Sequence, residues 1–430
     1  MKAFHLIIMI IIQFMVNNQA ANSQTLYNGI GHIPVAYQER WNQAGLLTDF
    51  SNLQPRLVIN FNCLPGANDD AKIDTALSQA RNHIPTGGLA IIYFPAGAYF
   101  LHNTIQLTEN DRNIIFQGAG SDKTTLNFAA SLYISPCFSL TGGAGVWSDL
   151  NQNFNKGDSI IHAPSGGLSD IDIGEWLHFI KYQFDYNPPS GSTFEKEIVG
   201  QITRLEAKGV SNDWGEIKDV ANMDYIDSTN PEYSLKVRKI TPVQNIGIEN
   251  LKIQRLQITG GTESVYNIQF TRSVNCWVRG VESYKASRSH IGINSSAHIE
   301  ISGCYIHEAF GYGSGGWGYG VSLSTGTTNC LIENNAFRKL RHAMVAGSGA
   351  NCNVWTFNCS RDQYSTFAGF PYDDRDLDLH ARYPFGNLFE YNIIEQIESG
   401  DKHGDNGPYN TAYSGANLPA NPVKAAGQSG

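Results

Sequence analysis

Two apolar repeats between residues 268 and 355 constrain this chain more than any other feature, because they advance along the sequence at the same pace. The spacings are 23, 30 and 23 residues in the first repeat and 23, 31 and 23 in the second. The first repeat consists of Ile268, Ile291, Val321 and Met344, and the second of Val278, Ile301, Ile332 and Trp355. A shared rhythm predicts stacked, equivalent coils, since each coil of a solenoid buries its apolar face only against its neighbours.

The residues around each repeat position predict strands joined by sharp corners. Apolar and polar residues alternate in stretches such as Ile291-Gly292-Ile293 and Ile299-Glu300-Ile301, and this period of two favours strand over helix. Two positions beyond the second repeat come residue types that accept a left-handed backbone. These residues are Asn250, Gly280, Gly303 and Asn334. One sharp corner is therefore expected in every coil.

Length and charge narrow the class of protein. A single solenoid can absorb most of 430 residues, because its core grows along one axis. The 43 glycines suit a turn-rich, all-β chain. A net charge of -9 with no basic run disfavours nucleic acid as a partner, since phosphate binding depends on basic patches.

Residues 1–23 are expected to be a secretory signal peptide. Lys2 precedes an apolar stretch from Leu6 to Val16, and small residues follow from Ala20 to Ser23. The alternative is a membrane anchor, which is less favoured because the apolar run is short for a bilayer. No other segment approaches that length, so we expect no membrane span after signal removal and a secreted, periplasmic or cell-surface location.

The next part of the chain predicts a helix in front of the first coils. Residues 24–57 show no repeat and are expected to form a lead-in. A helix is predicted from about Asp70 to Asn82, capped by Asp69 or Asp70, and a strand from Ala90 to Phe94. Such a helix would cover the open end of the solenoid core.

Four motifs in this region carry a family resemblance. They are Gly66-Ala67-Asn68-Asp69-Asp70, Gly87-Gly88, Ile92-Tyr93-Phe94-Pro95-Ala96-Gly97-Ala98-Tyr99 and Ile115-Phe116-Gln117-Gly118-Ala119-Gly120-Ser121. Together they resemble the opening of the pectate-lyase superfamily. The resemblance implies that residues 58–410 form a right-handed parallel β-helix with a short N-terminal capping helix, an all-β fold. It does not carry a particular activity.

Two segments depart from the repeat. Residues 131–242 contain short strand-like stretches among loops rich in Gly, Pro and Asn, and we interpret them as less regular coils with a β-rich excursion. The regular repeat resumes at Asn245. Residues 411–430 are rich in Gly, Ala, Pro and Asn and are expected to form a flexible tail or linker.

The outward positions of a solenoid form a long, shallow groove, which suits an extended extracellular polysaccharide. Insertions in a repeat protein usually mark its binding side. The long third interval adds residues within 307–320, where Tyr312, Trp317 and Tyr319 lie on a glycine-rich loop. These aromatic rings could stack on sugars, or they could fold over the solenoid wall.

A basic cluster has the best-defined register among the polar residues. Arg288 and Arg341 lie three positions before Ile291 and Met344, with Gly318 at the equivalent position between them. Coils stack at about 4.8 Å, so the two arginines are expected about 10 Å apart on one face, with the glycine clearing space between them. The basic residues clustered around them are Lys285, His290, Arg338, Lys339 and His342. The alternative is an ordinary solvated face.

A second cluster is acidic. Its carboxylates are Asp374, Asp376, Asp378 and Asp405, and its other polar members are His380, Arg382 and His403. Such carboxylates could hold Ca²⁺, the one cofactor we expect, or act as general acid and base. The alternative is an acidic turn that pairs with Arg375 and Arg382.

These clusters favour a lyase that cleaves an acidic, uronate-containing polysaccharide by β-elimination. That reaction needs a cation to neutralise the carboxylate and a base to remove the C5 proton. The predicted catalytic residues are Arg288, Arg341, His342 and His380. The predicted substrate-binding residues are Lys285, His290, Tyr312, Trp317, Tyr319, Arg338, Arg382 and His403.

Two alternatives remain at this point. A glycoside hydrolase would need two carboxylates flanking the scissile bond, which the aspartate cluster could supply. A non-catalytic carbohydrate-binding or surface-structural β-helix would need neither. In each case we expect a monomer.

Overall fold

The computed structural model describes residues 39–50, 53–132, 134–181, 199–226, 235–256, 265–313, 316–366, 375–400 and 404–413. Within these ranges, three parallel sheets wrap one apolar core, and an antiparallel sheet lies beside them. One α-helix, Asp69–His83, precedes most of the coils. The predicted right-handed parallel β-helix with its capping helix is confirmed. The expected signal peptide falls outside the described residues.

Four sheets contain all the strands of the described residues. Sheet A contains Arg56–Asn60, Leu89–Phe94, Arg112–Gly118, Val243–Glu249, Ser273–Val274, Trp277–Arg279, Glu300–Ser302, Leu331–Glu333, Val354–Thr356, Leu388–Glu390 and Thr411–Tyr413. Sheet B contains Gly97–Leu101, Thr124–Phe128, Lys252–Arg255, Glu282–Ala286, Tyr305–Ala309, Ala336–Arg338 and Cys359–Arg361. Sheet C contains Ile105–Thr108, Phe138–Thr141, Ile268–Thr271, Ser289–Asn294, Tyr319–Ser324, His342–Gly347, Arg375–His380 and Ile397–Ser399. Sheet D contains Gly143–Ala144, Ser148–Asp149, Ile160–His162, Trp176–Lys181, Val199–Lys208, Trp214–Ile217 and Lys236–Thr241.

The two apolar repeats are the interior columns of sheets C and A. In sheet C, Ile291 pairs with Ile268 on one side and Val321 on the other. In sheet A, Ile301 pairs with Val278 and Ile332 in the same way. The predicted corners also have a left-handed backbone, with φ of 53°, 61°, 62° and 54° at Asn250, Gly280, Gly303 and Asn334.

Two ladders of asparagine side chains support the corners on either side of sheet A. The side-chain oxygen of Asn358 accepts from the backbone N–H of Asn335 at 3.1 Å, while the Asn335 amide donates to the carbonyl of Ile301 at 3.0 Å. Asn353 and Asn387 repeat this arrangement at the other corner. These buried backbone groups are thereby satisfied from coil to coil.

The helix cap differs from the prediction. Asn68, not Asp69 or Asp70, is the N-cap, and its side chain accepts from the backbone N–H of Ala71 at 2.9 Å. Asp69 and Asp70 instead accept from backbone N–H groups of residues 100, 102 and 103. The two carboxylates therefore bind the start of the helix to the strand Gly97–Leu101 and to the turn after it.

The β-rich excursion is the antiparallel sheet D, whose strands run from Gly143 to Thr241, whereas Phe138–Thr141 still belongs to a coil of the parallel stack. Val243–Glu249 pairs directly with Arg112–Gly118, so the parallel stack continues across the point where sheet D leaves it. Sheet D packs against one corner of the solenoid, where the Asn351 amide donates to the carbonyl of Gly200 at 2.8 Å. The side-chain oxygen of Asn351 accepts in return from the Asn222 amide at 2.8 Å.

Both ends of the described chain lie on sheet A. Trp41 and Ala44 pack against its outer face, and the Trp41 indole donates to the carbonyl of Gly386 at 2.7 Å. Thr411–Tyr413 pairs with Leu388–Glu390 as the last strand of the sheet. Among the described residues, no helix is both long and apolar enough to cross a bilayer.

Candidate active site on the outer face of sheet C

The side chains that face away from the core of sheet C follow a simple rule. The core contains residues 291, 321, 344 and 377, together with the residue two positions after each of them. The single residue between the two members of each pair therefore points outward. The chain bends as it enters each strand, and consecutive residues such as His290 and Ile291 both face inward. The position before that pair faces outward, which places Ser289, Tyr319, His342 and Arg375 in one column.

Three outward side chains form a continuous chain of contacts. The Tyr319 hydroxyl lies 3.2 Å from His380 Nε2, and His380 Nδ1 lies 3.1 Å from the carboxylate of Asp378. Because a carboxylate only accepts, the Asp378 contact places the ring proton on Nδ1 and leaves Nε2 to accept from Tyr319. Asp378 thus orients His380 as a base toward the tyrosine.

His342 completes the cluster on the opposite side of Asp378. Its Nε2 lies 3.6 Å from the Asp378 carboxylate, and its Nδ1 donates to the carbonyl of Arg375 at 3.3 Å. Side-chain exposure is 2% for His342 and 3% for Asp378, against 29% for His380. His380 is therefore the member of this group that solvent, or a substrate, can reach most directly.

Shielding also changes the acidity of Tyr319. Burial raises the pKa of its hydroxyl above the ordinary value, and the Asp378 carboxylate acts in the same direction, whereas His380 and Arg341 oppose it. The hydroxyl therefore stays protonated across the neutral range. It can donate a proton, but it is a poor source of tyrosinate.

The predicted register of the two arginines is confirmed. The backbone of Gly318 lies between those of Arg288 and Arg341, since Arg341 N donates to Gly318 O at 2.8 Å and Tyr319 N donates to Arg288 O at 2.8 Å. The Arg341 guanidinium lies 5.6 Å from the centre of the Tyr319 ring. The Arg288 guanidinium lies 5.8 Å from the Tyr266 ring.

The prediction that Gly318 leaves space between the arginines is wrong. A Cβ at this position would lie 3.0 Å from the carbonyl of Gly311 and 3.2 Å from the Tyr312 ring. The glycine-rich loop fills the gap because it folds back over the sheet, where the Gly313 carbonyl accepts from Arg341 at 2.8 Å.

Tyr312 and Trp317 of that loop pack against other protein groups. The Tyr312 ring contacts the Tyr364 ring at 4.9 Å, and its hydroxyl accepts from the backbone N–H of Ala309 at 2.9 Å. The half-buried ring of Trp317 packs over Gly311. Sugar stacking by these two residues stays a prediction. Tyr319, in contrast, lies at the centre of the cluster.

Four predicted binding residues lie away from the cluster. His290 is fully buried in the core, where it contacts Ser283 at 2.8 Å and the carbonyl of Glu308 at 2.7 Å. Arg382 is also buried, beneath Gly404. Lys285 lies over Tyr284 and Phe310 near the end of the sheet B strand Glu282–Ala286. Arg338 pairs with Asp362 at 2.7 Å on the outside of sheet B.

The aspartates do not gather at one point. Asp376 faces inward and accepts from the backbone N–H groups of Glu395 and Gln396 at 2.5 and 2.9 Å, whereas Asp378 faces the histidines. Asp405 is exposed, and Asp374 and His403 lie outside the described residues. No group of three or more His, Cys, Asp or Glu with metal-binding geometry occurs in the described part of the chain. The calcium site stays a prediction.

The sequence patterns did not point to Tyr266, to Ser289 or to the ion pair between Arg375 and Glu398, whose charged atoms are 3.4 Å apart. A signal was available for the first two. Both lie two positions before a member of the sheet C repeat, as Tyr319 and His342 do. The outward-facing residues of sheet C could therefore have been predicted from the positions of the inward-facing apolar repeat.

No family model and no curated protein matches the chain in sequence. Comparison with solved structures does give matches, and the fold is that of two phage tailspikes. The tailspike protein gp49 from Pseudomonas phage LKA1 is 15% identical with a TM-score of 0.54, over 80% of this chain and 52% of that one. The Pseudomonas phage phi297 tailspike gp61 is 13% identical with a TM-score of 0.50, over 82% and 54%.

This chain therefore spans about half the length of either tailspike. At such low identity the likeness concerns the β-helix fold alone. The chemistry of the site has to be argued from its own residues.

Proposed function

We propose that the chain is a secreted polysaccharide lyase that cleaves an acidic, uronate-containing polysaccharide by β-elimination on the outer face of sheet C. The contact chain from Asp378 through His380 to Tyr319 carries this proposal. It supplies an oriented base and a protonated acid next to each other, with Arg341 5.6 Å from the tyrosine ring. Perturbed, shielded groups of this kind are typical of functional sites.

The proposed reaction accounts for every proton. Arg341, which is buried beneath the glycine-rich loop, supplies the positive charge that stabilises the substrate carboxylate and makes the C5 proton more acidic. His380 Nε2 removes that proton, the C4–C5 double bond forms, and the bond from C4 to the glycosidic oxygen breaks. The Tyr319 hydroxyl protonates the departing oxygen. His380 then returns its proton to Tyr319 across their 3.2 Å contact, and both groups are restored.

Hydrolysis receives less support from the same residues. A glycosidase requires two carboxylates that both reach the scissile bond. Asp376 is fully buried and is used by two backbone N–H groups, and Asp378 is used by the histidines. The described aspartates thus offer no such pair.

The experiment incubates the chain with polygalacturonate, alginate and hyaluronan and measures the ultraviolet absorbance of unsaturated uronate together with new reducing ends. We expect both signals to rise in parallel on at least one polymer. Reducing ends without that absorbance would indicate hydrolysis. Binding with neither signal would indicate a non-catalytic carbohydrate-binding protein.

A further inference from the structure

The Tyr319–Arg341 pair has a copy on the same face of sheet C. Tyr266 lies two positions before Ile268, as Tyr319 lies two before Val321, so both tyrosines belong to the outward column. In each case the following coil supplies an arginine above the ring. The guanidinium-to-ring distances are 5.8 Å for Arg288 over Tyr266 and 5.6 Å for Arg341 over Tyr319.

The Tyr266 ring fits closely against a glycine of the next coil. A Cβ at Gly292 would lie 2.2 Å from the ring, so a larger residue there would push the tyrosine off the sheet. The Arg288 side chain is also confined, because Gly316 of the glycine-rich loop lies against it. Tyr266 and Arg288 are both half-buried, which leaves part of each side chain accessible.

The copy lacks the groups that would perform chemistry. His342 lies in the coil after Tyr319, and Asp378 and His380 lie one coil further on. Relative to Tyr266, the equivalent residues are Ser289, Ser322 and Ser324. The second pair therefore has the aromatic ring and the cation but serines in place of the histidines and the aspartate.

We infer that Tyr266 and Arg288 form a second uronate subsite, and that the preferred substrate alternates uronate with uncharged sugars. This rests on the proposed function, because it places the reacting uronate at Tyr319. The two pairs are two coils apart, about 10 Å, and a pyranose in an extended chain advances by about one coil. Between the two pairs, Ser289 takes the tyrosine position and Gly318, one coil further on, takes the arginine position. These two positions therefore offer no cation to an intervening carboxylate.

The test compares an alternating polymer, hyaluronan, with two continuous polyuronates, polygalacturonate and alginate. The measurements are KM and kcat from unsaturated-uronate absorbance, and electrophoretic retardation in gels that contain each polymer. We expect hyaluronan to be preferred in both. Arg288→Ala should raise KM for hyaluronan about tenfold with kcat nearly unchanged, because it removes uniform binding.

Two further variants separate stacking from folding. Tyr266→Phe keeps the ring and should retain most of the retardation by hyaluronan, while Tyr266→Ala should weaken that retardation several-fold. Arg361→Ala, which removes an exposed arginine from sheet B, is the matched charge control and should change nothing. The inference is overturned if polyuronates are preferred, if no polymer binds, or if Arg288→Ala matches the control. Retardation that depends on Tyr266 and Arg288 without absorbance would retain the subsite and reject the lyase.

Discussion

The outer faces of sheets B and C are built from the same coils but place charged side chains in different environments. On sheet B, the ion pair between Arg338 and Asp362 has 57% and 60% exposed side chains. On sheet C, the His342–Asp378 pair is almost completely shielded, in a region where the glycine-rich loop folds over the sheet.

The difference separates ordinary surface charge from a candidate site. Exposed pairs contribute about 0 to 1 kcal/mol, so they are readily gained and lost. Shielded titratable groups cost desolvation energy, and several such groups in contact are characteristic of functional sites. If this interpretation is correct, equal substitutions on the two faces should have unequal effects.

The largest effect is expected for the proposed acid and base. His380→Ala and Tyr319→Phe should each lower kcat about 10³-fold, because general acid–base catalysis typically contributes 10² to 10⁴. The measurement is the initial rate of unsaturated-uronate formation at saturating substrate. A loss smaller than tenfold in both variants, with the fold intact by circular dichroism, would remove these residues from the mechanism.

A smaller loss is expected for the positioning residue. Asp378→Asn keeps the shape of the side chain but replaces the anion that holds His380 in its reactive tautomer. We expect kcat to fall about 10²-fold with KM unchanged. If KM rises and kcat stays constant, Asp378 binds substrate directly and the tautomer argument fails.

The pH profile should show the raised pKa of Tyr319. The hydroxyl must keep its proton to act as the acid, and burial extends that protonated form to higher pH. The alkaline limb of kcat should therefore lie above about 10, the ordinary value for tyrosine. Brief exposure to each pH followed by assay at neutral pH controls for unfolding. A reversible alkaline limb near neutrality would argue against Tyr319 as the acid.

The smallest effect is expected on sheet B. Arg361 pairs with Glu395 at 3.7 Å, and both side chains are 45% exposed. Arg361→Ala should change kcat/KM less than twofold and the free energy of unfolding by less than about 1 kcal/mol. Chemical denaturation and steady-state kinetics measure the two quantities. A large loss of activity would mean that sheet B also contacts the substrate, and the contrast between the faces would disappear.

Much of the fold follows from the sequence because burial imposes a period. Ile291 and Ile301 must stack on their equivalents in adjacent coils, so the register of sheets A and C was predictable. The direction of the strands in sheet D was not, since alternation is the same in parallel and antiparallel sheets. The Asn68 cap was missed because adjacent Asn and Asp residues have similar capping tendencies.

The site was only partly predictable for a related reason. Column spacing placed Arg288 and Arg341 in register. It did not reveal that the chain bends in the first residues of these sheet C strands, which turns His290 into the core and leaves Tyr319 outside the core cluster. Nor could spacing show that the glycine-rich loop returns to cover Gly318, because a loop path depends on tertiary contacts.

The most direct test of the central claim is the mass spectrum of the products from the polymer that the chain degrades. β-Elimination breaks the chain without adding water, so the account predicts oligosaccharides whose new non-reducing end is lighter by one water than a hydrolysis product. His380→Ala should yield about 10³-fold less of these species in the same time. Products of full hydrolytic mass from the wild-type chain would contradict the account.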